Sequence, residues 1–157
     1  MHHLILGGFV LIAAFTFARV EIEIEGPNGW AANLPTWRIS NRWTKIFYGN
    51  RPLTGYHLWV QIFVLVLAHT PFGLFLAPWS WPAELRVIGF VIIFFVVEDF
   101  LWFVLNPAYG IRRFRRENIW WHAPAWWWFM PRDYWVFLAL GCVTYGAGVW
   151  MKTAVGQ

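Results

Sequence analysis

The chain reads as an all-α polytopic membrane protein, with four transmembrane helices in one bundle. Three observations lead there. Of 157 residues, 59% are hydrophobic and 13% charged, against about 25% charged in a typical soluble domain. Four apolar stretches, at about 4–20, 57–77, 85–105 and 134–151, approach or reach the roughly 20 residues that a membrane-crossing helix needs. Many of the 14 tryptophans flank those stretches, as in the aromatic belts at headgroup level. Trp79 and Trp81 precede the third, Trp120, Trp121, Trp126, Trp127 and Trp128 precede the fourth, and Trp150 closes it. The whole chain, 1–157, is accordingly expected to form a single membrane domain.

The first span has no Lys or Arg before its apolar run, which suits a helix with an outside N-terminus and not a secretory signal peptide. Segments 21–55 and 106–133 hold most of the basic residues, including Arg38, Arg42, Lys45, Arg51, Arg112, Arg113, Arg115 and Arg116. The positive-inside rule makes both of them cytoplasmic and both termini external, in the inner (plasma) membrane if the source is bacterial. Segment 21–55 opens with Val20-Glu21-Ile22-Glu23-Ile24-Glu25. Strict alternation favours a short strand with its three Glu on one face. If the first helix instead continues, Glu21 and Glu25 share a face and Glu23 points away. Gly26-Pro27-Asn28-Gly29 then signals a turn, and 36–47 reads as an interfacial helix along the cytoplasmic surface. Pairing of Arg19, Arg38 and Arg42 with the Glu cluster is the simplest role for those charges.

The second span begins at Tyr56-His57 and carries Gln61 one turn further on. Near its other end His69-Thr70-Pro71 suggests a proline kink with a histidine hydrogen-bonding across the bundle. The third span is interrupted by the adjacent acids Glu98 and Asp99. An ionised acid at mid-membrane costs roughly 2.5–3.5 kcal/mol on insertion scales, so such residues face a partner, a cavity or a metal. They point about 100° apart on a helix, which leaves one to serve a site and the other to support it. Asp133, after Pro131-Arg132, is read as the N-cap of the fourth span. Within that span Cys142 is expected to be a small buried residue, and Gly141, Cys142, Gly146 and Gly148 offer a small-residue face for a homo-oligomer.

Placed by depth, Glu21, Glu23, Glu25, His57, Glu98, Asp99 and His122 converge in the cytoplasmic leaflet. Carboxylates with imidazoles are the donor set of iron, manganese or zinc, and helical bundles build metal sites from such residues. The expectation is a membrane-embedded metal-dependent enzyme acting on a lipid or other amphiphile. Glu21, Glu23, Glu25, His57, Glu98 and His122 would hold a transition metal, and Glu98 and Asp99 would act in catalysis. The alternatives are a small ion, metal or proton-coupled carrier, or a non-catalytic membrane subunit or assembly factor. Glu-x-x-His and HExxH signatures are absent, as are nucleophile-elbow, P-loop and dinucleotide motifs. The pI of about 9.6 is the topology signal plus attraction to anionic headgroups, and does not point to nucleic acid.

Overall fold

The computed structural model describes residues 2–48 and 51–155 and is mostly helical. Helix α1 runs His2–Glu25. Its buried residues Val10, Ala14, Ala18 and Ile22 recur every four positions, which is a helical stripe. The strand favoured for 20–25 is therefore replaced by a continuation of this helix. Burial follows the 3.6-residue period: Glu21, Ile22 and Glu25 are buried, whereas Glu23 and Ile24 are exposed. The helix stops at Gly26, which takes φ +68° and donates its N–H to Ile22 O at 2.9 Å, as a left-handed glycine terminator does.

Strand β1 (Arg38–Ile39) pairs antiparallel with β2 (Leu53–Thr54). Between them lies helix α2 (Arg42–Tyr48). The helix expected over 36–47 thus starts later, because Asn41 caps it. Asn41 Oδ1 accepts from the backbone N–H groups of Trp43 and Thr44, both at 2.9 Å.

Helix α3 covers only Gly55–Ala68, about 21 Å at 1.5 Å per residue. Thr54 caps its start through the His57 N–H. Pro71 disfavours helical geometry at the residue before it, and the chain turns at His69 into α4 (Thr70–Gly73). Among the described residues, three helices remain that are long and apolar enough to cross a membrane: α1, α5 (Trp81–Leu105) and the final helix α7 (Arg132–Val155). The second predicted span, 57–77, is a shorter apolar helix followed by a turn. Between α5 and α7 lie α6 (Gly110–Arg113), two short 3₁₀ turns and a two-residue hairpin of β3 (Trp126–Trp127) with β4 (Met130–Pro131).

The central helix is α5, with α7 packed closely on one side and α1 on another, while α3 is held more lightly. Helix α1 runs parallel to α5, since Phe9 stacks near Phe90 and Phe17 near Phe94. Helix α7 runs antiparallel, and glycine makes that contact possible. A Cβ on Gly89 would lie 2.5 Å from Tyr145 N, and one on Gly148 2.6 Å from Pro82 O. Gly141 likewise faces Ile93. Gly141 and Gly148, read as part of a homo-oligomer face, thus pack within the protomer, and Gly146 has nothing within 4 Å. Cys142 is exposed and not buried, because it lies one residue past Gly141 and so turns away from α5. The helix start at Arg132 puts Asp133 inside the first turn, so it is not the N-cap.

At the end where α3 meets the start of α5, His69 Nε2 lies 3.0 Å from Glu84 Oε1, and Trp79 Nε1 donates to Glu84 Oε2 at 3.0 Å. These bonds tie the α4–α5 connection to both helices. The Glu84 hydrogen bond, with a second to Leu65 O, raises the His69 pKa.

Gly89→Val should destabilise the protein by about 1–3 kcal/mol through overpacking, whereas Gly146→Val should stay within about 0.5 kcal/mol of wild type. Thermal unfolding of the two variants in detergent makes the comparison. His69 should titrate above the ordinary histidine value of about 6.5, and Glu84→Gln should bring it back. Because the folded pKa is raised, this pair stabilises fully below the unfolded value and less as pH rises through the folded one. Imidazole NMR measures the midpoint directly.

Candidate functional site

At the opposite end of α5 the three long helices and α3 enclose a cavity of about 490 Å³. The helical continuation of α1 places Glu21 and Glu25 on its wall, α3 contributes His57 and Gln61, and α5 contributes Glu98 and Asp99. The segment before α7 supplies His122, and α7 itself supplies Asp133 and Tyr134. Four of the residues predicted from depth alone, Glu21, Glu25, His57 and His122, thus meet the two acids of α5. Glu23 does not join them. Its side chain is 75% exposed and pairs with Arg19 at 3.4 Å, as its position two residues from Glu21 on a helix requires.

Two carboxylate–imidazole pairs organise the cavity. Glu25 Oε1 lies 3.5 Å from His57 Nε2 and also accepts from the Ala31 N–H at 2.5 Å. The other imidazole nitrogen, His57 Nδ1, is 2.6 Å from Thr54 Oγ1. Asp99 Oδ2 lies 3.3 Å from His122 Nε2 and accepts from the Tyr134 hydroxyl. The two adjacent acids of α5 therefore turn to different neighbours. Asp99 meets α7 and the loop before it, whereas the Glu98 carboxyl abuts Glu21 of α1. Tyr56 Oη donates to Glu21 at 3.2 Å. Glu98 is 4% exposed, and its Oε1 has no hydrogen-bond partner among the described residues.

Among the described residues, the arginine in the wall is Arg51. Its guanidinium lies 4.4 Å from the centre of the Trp30 ring and donates to Asp133 at 3.2 Å and to Tyr48 O at 2.9 Å. Burial lowers its pKa, and the charges of Asp99 and Asp133 oppose that shift. It stays protonated, as arginine does in proteins. Arg38, expected to meet the Glu cluster, instead donates to the carbonyls of Ala31, Ala32 and Leu34.

Behind the polar groups sits an aromatic cluster. Trp102, Phe103, Ile119 and Trp121 are buried together with Ala18 and Ile22. Gly29, at φ +60°, passes so close to it that a Cβ would lie 2.7 Å from the Trp121 ring. The turn after α1 thus needs glycine both for conformation and for space. Asn106 Nδ2 donates to Gly26 O at 3.0 Å and fixes the same turn to the end of α5.

No protein-family model, curated protein or solved structure matches this chain. The site therefore rests on its own geometry. Among the described residues, no group of three or more His, Cys, Asp or Glu is arranged to hold a metal ion. His122 is engaged by Asp99, which separates it from the Glu21, Glu25 and Glu98 side. Depth reasoning passed over Arg51, Tyr48, Tyr56 and Tyr134, and it treated Asp133 as a cap. Arg51 and Asp133 are separated by 82 positions, and no local pattern connects them. The tyrosines could have been sought as the uncharged donors that buried carboxylates require.

Arg51→Met should cost about 1–2 kcal/mol, because Asp133 loses its buried partner while keeping Arg132 at 3.1 Å. Adding Asp133→Leu should restore part of that loss, and the difference in unfolding free energy between single and double variants reads the coupling.

Proposed function

We propose that this protein is a membrane-embedded enzyme that performs general acid–base chemistry on a lipid or other amphiphile. The observation carrying this reading is that two carboxylate–imidazole pairs share one cavity with an apolar wall made by Val60, Ile92, Phe95, Val96 and Phe137. Paired carboxylates and imidazoles hold and move protons near neutral pH. An apolar wall beside them suits a molecule with both a polar head and a hydrocarbon tail. Asp99 takes the role of fixing His122, with the Tyr134 hydroxyl as a second donor to the same oxygen. Glu25 does the same for His57. His122 is then the group that exchanges protons with the bound molecule, whereas burial pushes the His57 pKa down to about 4 and leaves it a neutral hydrogen-bonding partner.

The carrier alternative needs a polar route along the bundle. Ala14, Val64 and Phe94 instead pack together as a buried apolar cluster, between the cavity and the His69–Glu84 end. That plug favours chemistry at a closed site over passage through it. An orientation with loops 26–54 and 106–131 in the cytoplasm fits their basic residues, and would open the cavity to the inner leaflet.

A metal-dependent form of the same enzyme is the second reading, and one observation favours it. Glu21, Glu25 and Glu98 are all buried on one side of the cavity, and Glu98 Oε1 lacks a partner among the described residues. A transition metal held there by these carboxylates and His57 would neutralise their charge and act as a Lewis acid.

One experiment covers both forms. Purified protein in nanodiscs is incubated with total membrane lipid, products are followed by mass spectrometry, and bound metal is quantified in the same samples. Turnover should fall about 10²–10⁴-fold in Asp99→Asn and His122→Ala while helicity and monodispersity persist. Iron, manganese or zinc near one equivalent, lost in Glu98→Gln with His57→Ala, selects the metal-dependent form. Metal-free wild type with undiminished turnover eliminates it. Turnover that survives Asp99→Asn and His122→Ala overturns the acid–base assignment.

A further inference from the structure

Two buried polar atoms of α5, Glu98 Oε1 and Trp102 Nε1, have no hydrogen-bond partner among the described residues, and both side chains line the cavity. The two residues are 4% and 3% exposed, and a buried polar atom left unpaired is both costly and rare in native proteins. Residues four apart lie on one face of a helix with Cβ atoms about 5–6 Å apart, so a single group can reach both. The rest of the Glu98 carboxyl is engaged. It hydrogen-bonds to the Glu21 carboxyl with a proton between them, and Tyr56 donates to Glu21 at 3.2 Å. The Trp102 ring is held among Phe103, Tyr109 and Trp121. Packing thus keeps both atoms at the cavity wall.

The two atoms need opposite things. With the shared proton engaged toward Glu21, Glu98 Oε1 accepts, whereas an indole N–H only donates. A group that satisfies both must donate to the first and accept from the second, and a hydroxyl is the smallest that does. An ether oxygen accepts without donating, an ammonium donates without accepting, and a hydrocarbon does neither. The apolar part of the lining continues from Glu98 on the side away from Trp102. Phe95 and Ile92 stand about 4.5 and 9 Å further along α5 at 1.5 Å per residue, with Val60 of α3 and Phe137 of α7 completing that part of the wall.

Resting on the amphiphile reading above, we infer that the molecule bound carries a hydroxyl head on a hydrocarbon chain, the hydroxyl donating to Glu98 Oε1 and accepting from Trp102 Nε1, and the chain lying along Ile92, Phe95 and Val96. Recognition of the head is by paired hydrogen bonds and not by charge. Trp102 thereby joins the binding residues, although its apolar neighbours alone would make it core filling.

The test uses the whole chain in nanodiscs of neutral lipid, stripped with EDTA so that no metal engages Glu98 Oε1. A diazirine-bearing hexadecanol is the photolabel. Unlabelled hexadecanol, hexadecyl methyl ether and heptadecane compete, three uncharged molecules that donate and accept, only accept, or do neither. Labelling should be saturable and map to Ile92, Phe95 or Val96. Each hydrogen bond lost should weaken competition about tenfold, in the order alcohol, ether, hydrocarbon. Glu98→Met should bring the alcohol down to the level of the ether. Glu98→Gln should keep the alcohol's advantage, because an amide N–H can replace the shared proton toward Glu21 and leave the carbonyl oxygen to accept. Trp102→Phe should weaken alcohol and ether together several-fold. Heptadecane should compete equally in all variants, which verifies that their cavities form, and the wild-type series decides the head group even where a variant does not fold. Saturable labelling with equal competition by all three, as when a water bridges the two atoms, overturns the hydroxyl assignment and leaves the amphiphile reading standing. An alcohol that competes as well in Glu98→Met or Trp102→Phe as in wild type overturns its seat at these residues. Absence of saturable labelling in the cavity overturns both readings.

Discussion

Two neighbouring side chains on an α-helix diverge by about 100°, and the arrangement of this protein follows from that angle at Glu98 and Asp99. Neither acid can be left facing hydrocarbon, so each needs a polar neighbour on its own side of α5. Helix α1 meets the first through Glu21 and α7 meets the second through Tyr134. A pair of adjacent acids thereby requires helices on two flanks of α5, and the cavity lies where those flanks and α3 come together. Both acids line the same cavity from different sides of α5, so neither one alone faces it.

The remaining features keep those partners at the right height. Close approach of α7 to α5 depends on glycine at 89, 141 and 148, and this sets how near the cavity Tyr134 and Asp133 stand. The turn after α1 is held between Asn106 and the Trp121 ring, so that Glu25 and Ala31 close one wall. The β1–β2 pairing brings Thr54 back to cap α3, and the same hydroxyl meets His57. One threonine thus starts the helix and orients an imidazole that the site uses. The early end of α3 at Pro71 costs the bundle a full-length crossing helix, yet leaves the half bearing His57 intact.

Much of this could be read from the chain, and the parts that could not have physical reasons. Hydropathy located α1, α5 and α7 because twenty-residue apolar runs have few other uses. Depth counting brought Glu21, Glu25, His57, Glu98, Asp99 and His122 to one level, since rise per residue is fixed. It misplaced Glu23, because alternation of Ile and Glu matches a strand as well as a helix end; only the stripe continuing from Ala14 and Ala18 decides between them. Hydropathy also overran α3, because Leu74, Phe75 and Leu76 are apolar without being helical. The Arg51–Asp133 link was beyond reach altogether, since it joins the segment before β2 to the first turn of α7, whose approach depends on the packing of every helix between them.

The site's electrostatics also account for why its histidines are where they are. A carboxylate buried in a bundle can be neutralised by a fixed cation, a proton or a bound ligand. Asp133 has the first, in Arg51 and Arg132. Glu25 and Asp99 have imidazoles, whose charge is conditional on a proton. At position 57 burial pushes the pKa down to about 4, so near neutral pH that imidazole stands uncharged beside Glu25. Beyond the apolar wall of the cavity, Ala14, Val64 and Phe94 pack together as a buried cluster, which closes that side of the bundle to polar groups.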